Sequence, residues 1–250
     1  MAGSAKSERS IIRERFYRKS SNIPGLEKFQ VRIEETDLLV MAEKILKKEV
    51  EDEVRKQREI IKSYIKQYPE FYTSFSPVNC RSEEEIIRLM CDSARMTDTG
   101  PMASVAGAIA EITGRKILPV TGQIFIENGG DIFALIKQDF NVGIYAGDSP
   151  VSFRLGLKLP GSDLPVGIAT SSGTVGHSFS FGRADAVTVV SGSAALSDGA
   201  ATYFGNLITG DTIEKDKIEK AIEKFPFIHG ILIVKGKDIF AWGKIELVSF

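Results

Sequence analysis

A carboxylate and a hydroxyl four residues apart, Asp198 and Thr202, stand in the small-residue run S-D-G-A-A-T. Positions i and i+4 share one helix face, so the two oxygens are aimed together. The Ala and Gly residues between them leave room for something bulky. With a nearby carbonyl they form an all-oxygen donor set. Such a set suits Mg²⁺, a hard ion that keeps waters and usually binds through substrate phosphates. The same two residues also read as a helix cap and a hydroxyl bonded back to its own helix. Either way, an Asp in so apolar a helix demands a partner if it is buried.

Two turns carry further polar groups. In A-T-S-S-G-T-V-G-H, Ala169 to His177, a strand-like run leads into Thr170, Ser171, Ser172 and Gly173. Hydroxyls and backbone N–H groups in such a turn suit a phosphate. It is not a P-loop, because the G-x-x-x-x-G-K-[ST] spacing and its lysine are missing. His177 reads either as a proton carrier or as a hydrogen-bonded structural histidine. In E-N-G-G-D-I, Gly129 and Gly130 read as a tight hairpin turn, or as a place where a ligand phosphate or ring meets the backbone, with Asp131 at the rim. Ser171 or Ser172, His177 and Asp198 have the residue types of a hydrolytic triad, but the nucleophile elbow G-x-S-x-G is absent. Nothing has zinc-ligand spacing.

The elements that must position these residues read as α+β. Residues 1–10 read as a disordered N-terminus and residues 11–250 as a single domain. Arg15–Arg18 and Phe29–Glu34 read as short strands, and Asp37 to about Tyr68 as one long helix. Helices follow at Ser82–Met96 and Met102–Thr113. Candidate strands are Ile117–Val120, Gln123–Glu127, Ile132–Lys137, Asn141–Tyr145, Ser152–Lys158, Gly167–Ala169 and Asp185–Ser191. Helices return at Ser193–Leu207 and Lys215–Lys224, before a C-terminal hairpin. Blocks of strands and helices without strict β-α-β alternation argue for a mixed α+β sheet packed with helices.

Composition narrows the classes. The chain has 250 residues, 43% hydrophobic and 26% charged, with a net charge of −1, as in an ordinary globular protein. No global field favours nucleic acid or an anionic membrane. Arg9, Arg13, Arg15, Arg18 and Lys19 cluster near the start and read as a solvated terminus. Cys80 and Cys91 have no metal spacing and make no disulfide framework; Cys91 reads as a buried structural thiol, with a sulfur-handling role for the pair as a remote alternative. The start has no apolar signal core, and no run reaches the ~18 apolar residues of a membrane span. A cytoplasmic protein is expected.

In order along the chain, G-A-I-A (Gly107–Ala110), G-G-D-I (Gly129–Ile132), T-S-S-G (Thr170–Gly173), His177, V-T-V-V-S (Val187–Ser191) and D-G-A-A-T (Asp198–Thr202) resemble the ApbE family. These are the magnesium-dependent FAD:protein FMN transferases. The overall length and the phrase M-T-D-T-G-P-M-A-S-V-A-G-A-I-A-E are more similar to a smaller branch of that superfamily, some of whose members have been connected with sulfide assimilation and homocysteine formation. The resemblance implies an ApbE-like, T-fold-like α+β domain. It implies Mg²⁺ held by Asp198, Thr202 and the carbonyl of Ala201. It implies FAD, as substrate or ligand, bordered by Gly129, Gly130, Asp131, Thr170, Ser171 and Gly173. Catalysis would fall to His177 and Asp198, on a flavin nucleotide or a similar diphosphate, by transfer to a protein acceptor or by hydrolysis. A non-catalytic nucleotide-binding or sulfur-assimilation accessory protein of the same fold is the alternative, and a homodimer through the small-residue helices stays open. Two departures stand out: Glu111-Ile112 follows G-A-I-A where the transferases have Lys-Gly, and His177 leads into S-F-S-F-G-R-A-D in place of H-I-x-D-P-x-T-G.

Overall fold

The computed structural model describes Arg18, residues 21–173 and residues 182–250. Strand β1 (Glu27–Ile33) turns at Glu34–Glu35 into β2 (Thr36–Ala42), paired antiparallel from Glu27↔Ala42 to Ile33↔Thr36. Every residue of β2 is buried, and β3 flanks its other edge. Here the expected helix from Asp37 is corrected. T-D-L-L-V-M-A is a strand covered on both faces, and so short an apolar run does not reveal its period. The helix, α1 (Lys47–Gln67), begins ten residues later and buries Val50, Val54, Gln57 and Ile61.

After a single turn, α2 (Glu70–Thr73), come α3 (Glu85–Thr97), a 3₁₀ turn at Pro101–Ser104, and α4 (Val105–Thr121). The expected strand Ile117–Val120 is the last part of α4. Its β-branched residues favour a strand locally, but helical continuation puts buried Ile117 in line with buried Ile109 and Thr113 at i+4 spacing. Then follow β3 (Ile124–Asn128), β4 (Asp131–Leu135), β5 (Phe140–Gly143), β6 (Leu155–Leu159), β7 (Val166–Ser171) and β8 (Ala186–Ser191). The chain finishes with α5 (Ala194–Leu207), α6 (Lys215–Ile222), β9 (Ile228–Lys235), β10 (Asp238–Gly243) and β11 (Glu246–Ser249). The expected C-terminal hairpin is β9–β10; β11 leaves it to join another sheet.

The main sheet runs β1-β2-β3-β4-β7-β8-β9-β10, antiparallel throughout, and a three-stranded sheet runs β11-β6-β5. Alternation along the strands divides the core between two faces. Val187, Val189, Ile231 and Ile233 pack under α5 and α6, while Ala186, Val190, Leu232 and Val234 face the small sheet. Helices α1, α3 and α4 cover Val31, Leu38, Val40, Ile124 and Ile126 on the helix side. The α+β class is as expected. Among the described residues no helix is long and apolar enough to cross a membrane.

Candidate functional site

Helix α5 carries Asp198 and is fastened at its N-terminus with unusual completeness. Ser193 caps it, accepting from the Leu196 N–H at 3.3 Å. Fully buried Glu111 of α4 accepts from the Ser193 hydroxyl at 2.6 Å and from the Ala195 N–H at 3.1 Å, and pairs with Arg115 on its own helix. A carboxylate at a helix N-terminus meets free N–H groups and the positive end of the helix dipole. Ser93 of α3 donates to the Ala195 carbonyl at 2.7 Å, and Ser197 to the Gly167 carbonyl at 3.0 Å. The small residues let neighbours close in. A Cβ on Gly167 would lie 2.2 Å from the Ala194 nitrogen, and one on Gly107 would lie 2.3 Å from the Ala194 carbonyl oxygen. Since neither backbone can yield, Gly167→Ala is expected to destabilise the protein by at least about 3 kcal/mol, read as a lowered urea midpoint.

Asp198 sits where α5 meets the start of α4. Its Oδ2 accepts from the Gly107 N–H at 2.9 Å, and the Ala106 N–H also bonds the carboxylate. Burial pushes its pKa up to about 7, against the opposing pull of those two N–H groups. No Lys, Arg or His among the described residues pairs with it. Thr202 lies one turn further along α5, half-buried, and Ala201 beside it is buried. A helical carbonyl such as that of Ala201 keeps a second lone pair after its helix bond. A half-buried carboxylate with no cation among the described residues, one helical turn from a hydroxyl and near a carbonyl, fits a small hard cation. The fit is to an ion that brings waters or ligand oxygens: among the described residues no three His, Cys, Asp or Glu side chains gather as a complete metal cage.

The hairpin β3–β4 closes through Gly129 and Gly130, with φ of 74° and 111°, the left-handed conformations a two-residue turn requires. By alternation Asn128 and Asp131 lie on the helix face of the sheet. Asn128 donates to the Ala106 carbonyl at 3.1 Å, which ties the hairpin to the α4 terminus that holds Asp198. The turn abuts β7: a Cβ on Gly130 would stand 3.6 Å from the Thr170 carbonyl oxygen. Thr170 itself points away from α5, bonded to the Thr188 hydroxyl at 2.9 Å on the small-sheet side, whereas Ser171 falls on the helix side with Gly167 and Ala169. Gly173 donates its N–H to the Ala184 carbonyl at 3.0 Å, and a Cβ there would meet the Gly182 oxygen at 2.0 Å. Gly129, Gly130, Asp131, Thr170 and Ser171 therefore collect at one end of the main sheet. His177 lies outside the described residues.

Residues 20–224 match the model of the family described as "AbpE bacteria". The chain belongs to this family. It is 40% identical over 230 residues to the UPF0280 protein of Methanocaldococcus jannaschii, a match covering 89% of this chain and 93% of that protein. It is 38% identical over 229 residues to the UPF0280 protein of Archaeoglobus fulgidus, covering 89% and 94%. Its fold is similar to that of the Pseudomonas stutzeri flavinyl transferase ApbE in its apo form, with a TM-score of 0.57 at 13% identity over 88% of this chain and 94% of that one. The ApbE protein of Thermotoga maritima gives 0.50 at 14% identity, over 88% and 96%.

Within this ApbE-like chain the structure corrects two readings. Arg18 is no part of a solvated terminus. It is 8% exposed and bonds Glu127 at 2.5 Å and Asp37 at 2.8 Å; nothing in the surrounding basic run distinguishes it. Cys91 is no free thiol, because it forms a disulfide with Cys80, their Cα atoms 6.3 Å apart. Thr170 and Asp198 face opposite sides of the sheet. Sequence reasoning also missed Glu111 and Asn128 as supports. An acid just after a small-residue helix motif was the available signal for Glu111. Two clefts of about 700 and 320 Å³ lie elsewhere, one lined by Tyr64, Tyr68 and Arg81, the other by Asp139, Lys158 and Lys244.

Proposed function

We propose that the chain is a Mg²⁺-assisted transferase or hydrolase that cleaves the diphosphate of a flavin nucleotide such as FAD. One observation carries the reading: Asp198 is a half-buried carboxylate, without a cation partner among the described residues, whose partners are the two N–H groups at the start of α4. The name of the flavinyl transferase that shares the fold supports the substrate class. Asp198, Thr202 and the Ala201 carbonyl would hold the metal. When bound, Mg²⁺ would supply neutralisation of the diphosphate charge. Asn128, Asp131 and Ser171, on the helix face at the same end of the sheet, would orient the nucleotide. His177 is the proposed proton carrier. The P–O–P bond of FAD breaks, the FMN phosphorus passes to an acceptor hydroxyl or to water, and AMP leaves with the electron pair of the broken bond.

The alternative of a binding module rests on two departures, Glu111 after G-A-I-A and the run that follows His177. Glu111 there is consumed in fastening α5, so its identity answers a structural need and does not speak against chemistry. The test is incubation of the purified protein with FAD and MgCl₂, with FMN and AMP followed by chromatography. Release of both, lost on chelation and in Asp198→Ala, is expected; no release by the wild type overturns the catalytic reading. Thr202→Val keeps the size and removes one oxygen. It is expected to raise the Mg²⁺ concentration needed for half-maximal rate by roughly 10–100-fold while leaving the melting temperature nearly unchanged.

A further inference from the structure

Among the described residues the main sheet ends in β1 on one side and β10 on the other. An edge strand presents a row of unpaired N–H and C=O groups to any strand of matching register. β1 is guarded by charge: Glu27, Lys28 and Arg32 stand among its seven residues. β10 is not. Between Asp238 and Lys244 the run I-F-A-W-G holds no charge and no proline. Its neighbour β9 decides which backbone groups are left over. The Val234 carbonyl turns to the β8 side, accepting from the Asp185 N–H at 2.9 Å. Ile239, opposite Val234, therefore aims its own N–H and C=O away from β9, and by alternation so does Ala241. The side chains agree with an open edge. Ile239 is 38% exposed on the small-sheet face, and Trp242, the chain's single tryptophan, is 40% exposed on the helix face that also carries buried Phe240. Asp238 and Lys244, which bracket the run, have no ion partner among the described residues.

This edge is complementary to itself. Alternate residues of a strand aim their backbone groups to opposite sides, so two copies related by a two-fold axis pair antiparallel only with the axis beside a residue, never between two. With the axis at Trp242, Asp238 is set toward the partner's Glu246, like against like. With the axis at Phe240, Asp238 faces the partner's Trp242 and the charges stay unpaired. With the axis at Ala241 the whole run is matched. Asp238 faces the partner's Lys244 at both ends, Phe240 faces the partner's Trp242, and Ala241 exchanges both backbone bonds with the partner's Ala241. Opposite charges and aromatic pairs directly across strands favour pairing, and facing like charges oppose it.

We propose that β10 is the interface of a homodimer, joined to β10 of a second copy in the register centred on Ala241, so that the main sheet runs on through both chains. The full chain is tested by analytical ultracentrifugation at about 100 μM, with the dissociation constant read from dilution. A species of twice 27.4 kDa is expected, with Trp242 emission moving to longer wavelength on dilution as the edge opens. Ala241 is exposed, so the fold of the single chain tolerates a charge there. Ala241→Lys and Ala241→Glu each set like charges face to face at the axis. Each is expected to raise the dissociation constant by at least about tenfold, and an equimolar mixture of the two to bring it back to within about threefold of wild type. A wild type that stays a single chain overturns the proposal. So does a dimer that both variants leave intact, or a mixture that does not re-form one. Should neither variant fold, the wild-type emission carries the test: no change at Trp242 while the mass halves on dilution overturns the proposal as well.

Discussion

Asp198→Ala is expected to lower FAD turnover by more than about 100-fold and to abolish the stabilisation by Mg²⁺ that the proposed site predicts for the wild type. The variant removes the only carboxylate of the proposed donor set, leaving a hydroxyl and a carbonyl too weak to hold a dication. The pH dependence has a defined sign. In the unfolded chain this carboxyl ionises near 3.8; in the fold burial moves it up to about 7. The fold therefore favours the protonated form. Its contribution to stability declines as pH rises from the unfolded value to about 7, and levels off above. Metal at the proposed site would reverse the preference, because only the ionised carboxylate coordinates. Mg²⁺ affinity should accordingly rise between pH 6 and pH 8, with proton release on binding below about 7. Asp198→Asn keeps an acceptor for the Gly107 N–H without the charge. Its metal-free form should melt no lower than the wild type at pH 8, yet show no shift with Mg²⁺. A wild-type shift surviving in both variants would remove Asp198 from the metal site.

Glu111→Ala is expected to destabilise the protein by about 3 kcal/mol, since it strands the buried Ser193 hydroxyl and the Ala195 N–H together. For a chain of this length that is a fall of roughly 6–12 °C in melting temperature. Arg115 is about half exposed and recovers its solvation, so it adds little. Glu111→Gln keeps one acceptor at the end of α5 and should cost about 1 kcal/mol. Activity that survives in the folded glutamine variant would confirm that Glu111 acts through the position of α5. A melting temperature for Glu111→Ala within 2 °C of wild type would refute the capping role assigned from its two bonds to α5.

The fold class was legible because much of its signal is local. Val187, Val189, Ile231 and Ile233 alternate with residues of the other face, and the spacing of Val50, Val54 and Ile61 marks α1. Legibility failed where local preference and tertiary burial disagree. In β2 the residues are apolar on both faces, so no period separated a central strand from the start of a helix. In α4 the packing of Ile117 under the same helix face as Ile109 outweighed the strand preference of its neighbours.

For the candidate site, the sequence by itself determined the donor types and one spacing: Asp198 and Thr202 share a face because a helix repeats every 3.6 residues, and the two glycines turn a hairpin because they alone adopt positive φ without strain. Sequence resemblance determined the family. Only the tertiary structure decided that Asp198 meets the N–H of Gly107, 91 positions away, and that Glu111 caps a helix 82 positions on. The same holds for Arg18, which leaves the basic run to pair with Glu127, 109 positions distant. Those partners are set by which strands and helices come to lie side by side. A carboxylate in a sequence carries no mark of the N–H or guanidinium it will need once water is removed, and burial alone creates that need.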